Sequence, residues 1–205
     1  MAPIPSHVAG QLRQLIYYHL DNELVQNALF LAGRLHAYDT RSAESTYLVS
    51  LCHLRLGQAH LAYESSKLQG SRGSHLGCAY VFAQACLTLP LHQKEGITAL
   101  ERTRGLWGGR NNWSESMREA CDRQARNSGT FDLTGGIELD KHSDTTRRSQ
   151  PDAAAVYCLM AKLWHAHGDT KKAVECYVEA LKLNPFMWDA FLGLCDTGGL
   201  SDIPD

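Results

Sequence analysis

At 205 residues, 44% of them apolar, the chain has material for one domain or a short repeat array with a real core. A net charge of −2 and a pI near 6.5 leave no global attraction to nucleic acid or to an anionic membrane, so neither is expected as a partner. No apolar run approaches the roughly 18 residues of a membrane span, and the opening MAPIPSHVAGQLRQ lacks the basic region and apolar core of a secretory signal.

Residues 7–40 predict a first helical hairpin. Leu12, Leu15, Ile16 and His19 mark one helix, Asp21-Asn22 interrupts it with capping chemistry, and Ala28, Ala32 and Leu35 mark the second. The next hairpin covers 43–73, with Val49, Ser50 and His53 as first-helix contacts, Gly57 at the turn and Ala62 in the second helix. A Gly/Ser loop from Gly70 to Gly77 then leads into a third hairpin, 76–103. Its first helix (Tyr80, Ala83, Cys86) runs one residue out of register, absorbed by a turn through Pro90. Gly96 stands where Ala28 and Ala62 stand in the earlier hairpins. A glycine in mid-helix costs about 1 kcal/mol against alanine, so its presence predicts two helices in close approach.

Between 104 and 152 the period fails, and this stretch reads as a variable insertion between the third and fourth repeats. Within it, Trp113 to Arg126 predicts one amphipathic helix built on Trp113, Met117, Ala120 and Cys121, and the remainder reads as mobile. The fourth hairpin, 153–186, places Tyr157, Met160, Ala161 and Trp164 on one helix and Ala173, Tyr177, Ala180 and Leu181 on the next. Gly168-Asp169 turns the chain between them, and Asn184-Pro185 stops the second sharply. Residues 187–198 open a further first helix on Trp188, Phe191, Leu194 and Cys195. A solenoid end with a bare apolar face is a sticky surface, so the natural polypeptide is expected to continue, with this chain its amino-terminal part.

Ala28, Ala62 and Gly96 lie 34 residues apart, the period of tetratricopeptide repeats. In the fourth hairpin, eight positions from Tyr157 to Ala180 fall in that register at once, closed by Pro185. The expected fold is therefore all-α: a tetratricopeptide-repeat solenoid, a right-handed superhelix of antiparallel helix pairs, forming a single domain over 1–205.

Seven scattered cysteines form no CxxC and no Cys/His cluster at ligand spacing, which reads as buried, reduced thiols of a cytosolic or nuclear protein. His165 and His167 flank one residue of a helix, so their rings diverge and share no metal. Gly105–Gly109 and Thr134–Gly136 lack the strand-before, helix-after context of a phosphate loop, and Arg147-Arg148 is too short for a nucleic-acid patch. No nucleophile–base constellation assembles, so no enzyme, no cofactor and no metal are expected.

The informative residues are those facing the concave side. Groove positions are the second, fifth, ninth and twelfth of each repeat. The first repeat offers Gly10, Arg13, Tyr17 and Leu20; the second, Glu44, Tyr47, Leu51 and Leu54; the third, Gly77, Tyr80, Gln84 and Leu87. The fourth offers the wetter set Ala155, Cys158, Lys162 and His165. Burying each large apolar side chain is worth roughly 1.5–3 kcal/mol, so a channel of Tyr and Leu predicts a partner surface of the helix-in-groove kind. The competing expectation is that tight superhelical curvature buries these side chains within one chain.

The segment KLNPFMWDAFLGLC (Lys182–Cys195) resembles the NPF-x-W-x-x-F-x-x-LC stretch of the subunit 3 family of the anaphase-promoting complex, the cell-division-cycle 27 homologues. Ala28–Leu35, Ser45–Tyr63 and Lys94–Leu100 are similar to that family's first three repeats. The resemblance implies a non-catalytic, homodimerising scaffold subunit of a ubiquitin ligase complex acting in cell-cycle control, found in nucleus and cytoplasm. Its partners would be a second copy, through interlocked amino-terminal repeats, and other subunits of the complex. Arg13, Tyr17, Leu20, Tyr47, Leu51, Leu54, Tyr80 and Leu87 are the expected dimer interface, and the co-activator tail site is expected in carboxy-terminal repeats outside this chain. The alternative is a peptide-binding adaptor or co-chaperone-like module. Such a clamp needs Lys and Asn at groove positions to hold a terminal carboxylate, where this chain has Tyr and Leu.

Overall fold

The computed structural model describes residues 6–112 and 150–198. The expected helix at Trp113–Arg126 and the stretch read as mobile lie outside the described residues, apart from the closing Gln150-Pro151. Ten helices form among the described residues: α1 (Ser6–Asp21), α2 (Val25–Tyr38), α3 (Ala43–Arg55), α4 (Ala59–Arg72), α5 (Leu76–Thr88), α6 (Gln93–Arg102), the single turn α7 (Arg104–Trp107), α8 (Ala153–His167), α9 (Thr170–Leu183) and α10 (Trp188–Asp196). None of the helices described is long and apolar enough to cross a membrane. They pair as α1/α2, α3/α4, α5/α6 and α8/α9, and each pair packs its second helix on the next pair's first.

Each hairpin turns through one left-handed residue, five positions before the small residue of its second helix. These are Glu23 (φ 57°), Gly57 (φ 73°), Leu91 (φ 71°) and Gly168 (φ 92°), ahead of Ala28, Ala62, Gly96 and Ala173. Only two of the four are glycine, the residue that adopts this conformation without steric cost. Asp21-Asn22 does not cap α2, contrary to the expectation. Its N-cap is Leu24, with no side-chain bond, and Asn22 instead returns its amide to the Tyr18 carbonyl at 2.7 Å. The one-residue register shift is present: α5 starts 33 residues after α3, but α6 starts 34 after α4, the extra residue lying in the turn through Pro90.

Close approach at Gly96 is as its position predicts. A Cβ built there would meet Cys86 Cβ at 3.0 Å, the Ala83 backbone at 3.2 Å and Leu163 at 3.3 Å. α5 is buried nearly all round (Leu76, Cys78, Ala79, Val81, Phe82, Ala83, Ala85, Cys86), because α3, α4, α6 and α8 all pack on it. Leu15, expected on the apolar face of α1, is exposed; Ile16 and Leu20 carry that face.

Two boundaries differ from the sequence reading. The Gly70–Gly77 loop is mostly helix: α4 continues to Arg72 and α5 opens at Leu76, leaving three connecting residues. The irregular stretch also starts later than residue 104. Trp107 is 1% exposed, and its indole N–H donates to the Leu100 carbonyl at 2.9 Å, so α7 folds back as part of the third repeat. Here one large aromatic in a polar context was enough to extend the core.

Beyond α7 the two stems of the insertion close on each other. Ala153 N–H donates to the Arg110 carbonyl at 3.1 Å, and the Asn112 amide to the Gln150 carbonyl at 3.2 Å. The buried Asp152 carboxylate accepts from Ala155 N–H (3.0 Å), capping α8, and from Asn112 N–H (3.2 Å). α6 and α8 therefore stack as neighbours, as if no residues intervened.

Three outcomes are expected. Replacing residues 113–149 with a short Gly/Ser linker keeps a single cooperative thermal transition, whereas Asp152→Ala lowers stability by about 1–2 kcal/mol in urea unfolding. Leu91→Gly, at a residue 93% exposed and held at positive φ, raises stability by about 0.5–1 kcal/mol in the same measurement.

Candidate concave interface

The first helices α1, α3, α5 and α8 line one channel. At its amino-terminal end Arg13 pairs with Glu44 at 2.7 Å, tying α1 to α3 across the repeat boundary. Tyr47 lies over Gly77, where a built Cβ would come within 2.8 Å of the Tyr47 ring, so α3 and α5 approach as closely as a missing side chain allows. The ring also sits 5.7 Å from that of His75, whose Nδ1 accepts the Cys78 N–H at 3.1 Å and caps α5. Burial lowers the His75 pKa, which keeps that nitrogen free to accept. Tyr47 and Leu51 are half-buried and pack against both the amino-terminal and the central core. Burial, with Tyr17 adding to it, pushes the Tyr47 hydroxyl up to about 12.

Further along, the channel deepens into a pocket of about 580 Å³. Leu54, Tyr80, Gln84, Leu87, Ala155, Cys158 and Lys162, all read as groove positions, meet there. Burial pushes the Tyr80 hydroxyl up to about 12, with Cys158 and Asp152 contributing. Trp188 and Asp189 close the far wall, and Lys162 pairs with Asp189 at 2.7 Å. Neither residue was among the expected groove positions. Counting the 34-residue register onward from Ala155 puts Asp189 at a second position, so the signal for that residue was present. Trp188 remains 65% exposed and stacks on Phe191 at 5.2 Å between ring centroids.

Of the eight expected interface residues, Leu20 is not in the channel. At 2% exposure it belongs to the core between α1, α2 and α3, because it stands four residues after Ile16 on the buried face of α1. Arg13, Tyr17, Tyr47, Leu51, Leu54, Tyr80 and Leu87 are all half-buried. Their own chain thus covers part of each and leaves part open, an outcome between the two expectations. His165, at the wetter end, is exposed.

Comparison with known proteins places this geometry. Residues 21–103 match the family model described as Anaphase-promoting complex, cyclosome, subunit 3. Protein bimA of Emericella nidulans is 56% identical over 198 residues, covering 97% of this chain and 21% of that protein. The chain belongs to the anaphase-promoting complex subunit 3 family. Within that family, anaphase-promoting complex subunit 3 of Schizosaccharomyces pombe is 29% identical, over 93% of this chain and 24% of its own length. The cell division cycle protein 27 homolog of Homo sapiens is 27% identical, over 93% and 19%. The chain spans about a fifth of the length of the relatives it matches. Among solved structures, MamA 41-end from Desulfovibrio magneticus RS-1 superposes with a TM-score of 0.61 at 15% identity, covering 95% of this chain and 85% of that one. That likeness is one of fold alone, and the fold is the tetratricopeptide-repeat solenoid.

In this member of the subunit 3 family the described cysteines are free thiols: Cys52, Cys78, Cys86 and Cys158 buried, Cys176 and Cys195 partly so. Burial pushes Cys78 and Cys86 up to about 12 and Cys52 and Cys176 up to about 11, so these thiols carry little thiolate at neutral pH. The same burial acts on Tyr47, Tyr80 and Tyr177, each pushed up to about 12.

Two measurements check this packing. Because these folded-state values exceed the unfolded ones of 9.0 and 10.0, the unfolded chain releases its protons first. Stability is therefore full below about pH 9 and falls as pH rises toward 12, seen as a lower urea midpoint at about pH 10.5 than at pH 8. Gly77→Ala forces the Tyr47 ring off α5 and costs about 1–3 kcal/mol, read from the thermal midpoint.

Proposed function

We propose that the chain is part of a non-catalytic scaffold subunit of an anaphase-promoting complex, and that its concave channel is closed by a second copy of the chain. One observation carries the second half of this reading. A continuous row of half-buried Tyr and Leu side chains runs from Tyr17 through Tyr47, Leu51 and Tyr80 to Leu87, and it ends at the exposed Trp188–Phe191 stack. Full burial of each such side chain is worth about 1.5–3 kcal/mol, so the half left open is a reservoir of association energy. The first repeat supplies an apolar surface to match, since Leu15, Tyr18, Leu24 and Phe30 are all exposed on it.

Membership of the family supports the first half, because relatives carry the names anaphase-promoting complex subunit 3 and cell division cycle protein 27. Work in cell division, contact with other subunits of the complex, and residence in nucleus and cytoplasm belong to the same reading. Against the peptide-clamp alternative stands the chemistry of the groove: its lysine, Lys162, is already paired with Asp189.

Light scattering tests the reading. The wild-type chain is expected to run as a dimer at micromolar concentration and the Tyr47→Ala, Leu51→Glu double variant as a folded monomer, since a carboxylate in the channel has no partner. A folded wild-type monomer would overturn the dimer. Tight binding of an acidic C-terminal peptide that Lys162→Ala abolishes would favour the clamp.

A further inference from the structure

The second helices form a different surface, and its charge is uneven. Along α6, Lys94, Thr98 and Arg102 stand at successive i, i+4 positions and share one face. Across from them on α4 stand Lys67 and Ser71, again four apart. These residues border a pocket of about 310 Å³ whose floor is Phe82 and Ala99 and whose wall includes the Glu95 carboxylate. Lys94 also borders the next depression, lined by Trp164, His167, Lys171 and Lys172, so the basic surface continues onto the start of α9.

The acids beside this strip are occupied. Glu95 accepts the Tyr63 hydroxyl at 2.8 Å and faces His92 Nδ1 at 2.9 Å. Asp169 accepts the Lys172 backbone N–H at 3.2 Å and pairs with its ammonium at 3.3 Å. Glu64, beside Lys67 on α4, is the remaining acid whose charge acts on that lysine. Lys172 is thus balanced by Asp169, and Lys67 has Glu64 and Glu95 nearby, whereas among the described residues Lys94 and Arg102 form no ion pair with a carboxylate. Lys67 lies over the Tyr63 ring at 4.9 Å, and one Arg102 nitrogen donates to the Ser71 carbonyl at 2.8 Å, leaving the rest of its fork free. On a chain of net charge −2, such a strip is a local feature and not a consequence of overall basicity.

We propose that the groove between α4 and α6 is a docking site for an acidic segment of a partner protein, which sets one apolar side chain over Phe82 and its carboxylates on Lys67, Lys94 and Arg102. A volume of about 310 Å³ takes one large side chain, and the apolar floor favours a peptide over a bare polyanion. Charge complementarity then fixes the direction and register of the segment. This site lies on the second helices and does not depend on what fills the concave channel.

Fluorescence anisotropy with a fluorescein-labelled GDELEDG peptide and the 205-residue chain tests it. Saturable binding is expected, weakened about tenfold by the Lys67→Glu, Arg102→Glu double variant and steeply by added salt. Lys94→Glu, at an exposed side chain, is expected to weaken it severalfold and serves as the deciding variant should the double variant fail to fold. The peptide with alanine in place of leucine is expected to bind more weakly. No saturable binding, or affinity unchanged by Lys94→Glu and by the double variant, overturns the proposal. So does equal binding of a ten-residue thymidine oligonucleotide, which would mean generic polyanion attraction.

Discussion

One backbone constraint underlies the architecture: each hairpin reverses through a single left-handed residue, which delivers the second helix onto the first at a fixed small residue. Glu23, Gly57, Leu91 and Gly168 hold that conformation, and Ala28, Ala62, Gly96 and Ala173 accept the contact. Two of the four turns carry a side chain where glycine would be free of strain. The tertiary packing on either side must therefore outweigh a local cost at Glu23 and Leu91. At Leu91 the side chain points into solvent and contributes nothing in return.

Since the hairpins are stacked through side-chain contact and not through their connections, the array tolerates a long excursion. Asp152 concentrates that tolerance in one carboxylate, capping α8 and clasping the opposite stem through Asn112. Trp107 seals the underside of the third repeat just before the departure. The fourth repeat then meets the third through α6 and α8 in the way the third meets the second through α4 and α5.

The two surfaces of the solenoid differ in physical character. The first-helix side is a channel of aromatic and aliphatic groups bracketed by the ion pairs Arg13–Glu44 and Lys162–Asp189. Tyr47 and Tyr80 are dry enough there that their hydroxyls resist ionisation. The second-helix side carries its apolar groups under a basic rim, where Glu95 is spent on an internal hydrogen bond and Lys94 forms no ion pair among the described residues. A solenoid with two chemically distinct faces has the means to hold unlike partners at once.

Periodicity alone determined the fold class and the order of the helix pairs, because a 34-residue period with small residues at fixed slots has few other solutions. The close approach at Gly96 was equally legible, as a mid-helix glycine has a cost that only contact explains. Tertiary structure decided what depends on neighbours distant in sequence. It turned Leu20 into the core, drew Trp107 back under α6, closed the insertion stems through Asp152, and brought Trp188 and Asp189 to the wall of the pocket. The left-handed turns at Glu23 and Leu91 belong to the same class, because nothing in either residue's own preference announces a conformation imposed by the helices on both sides.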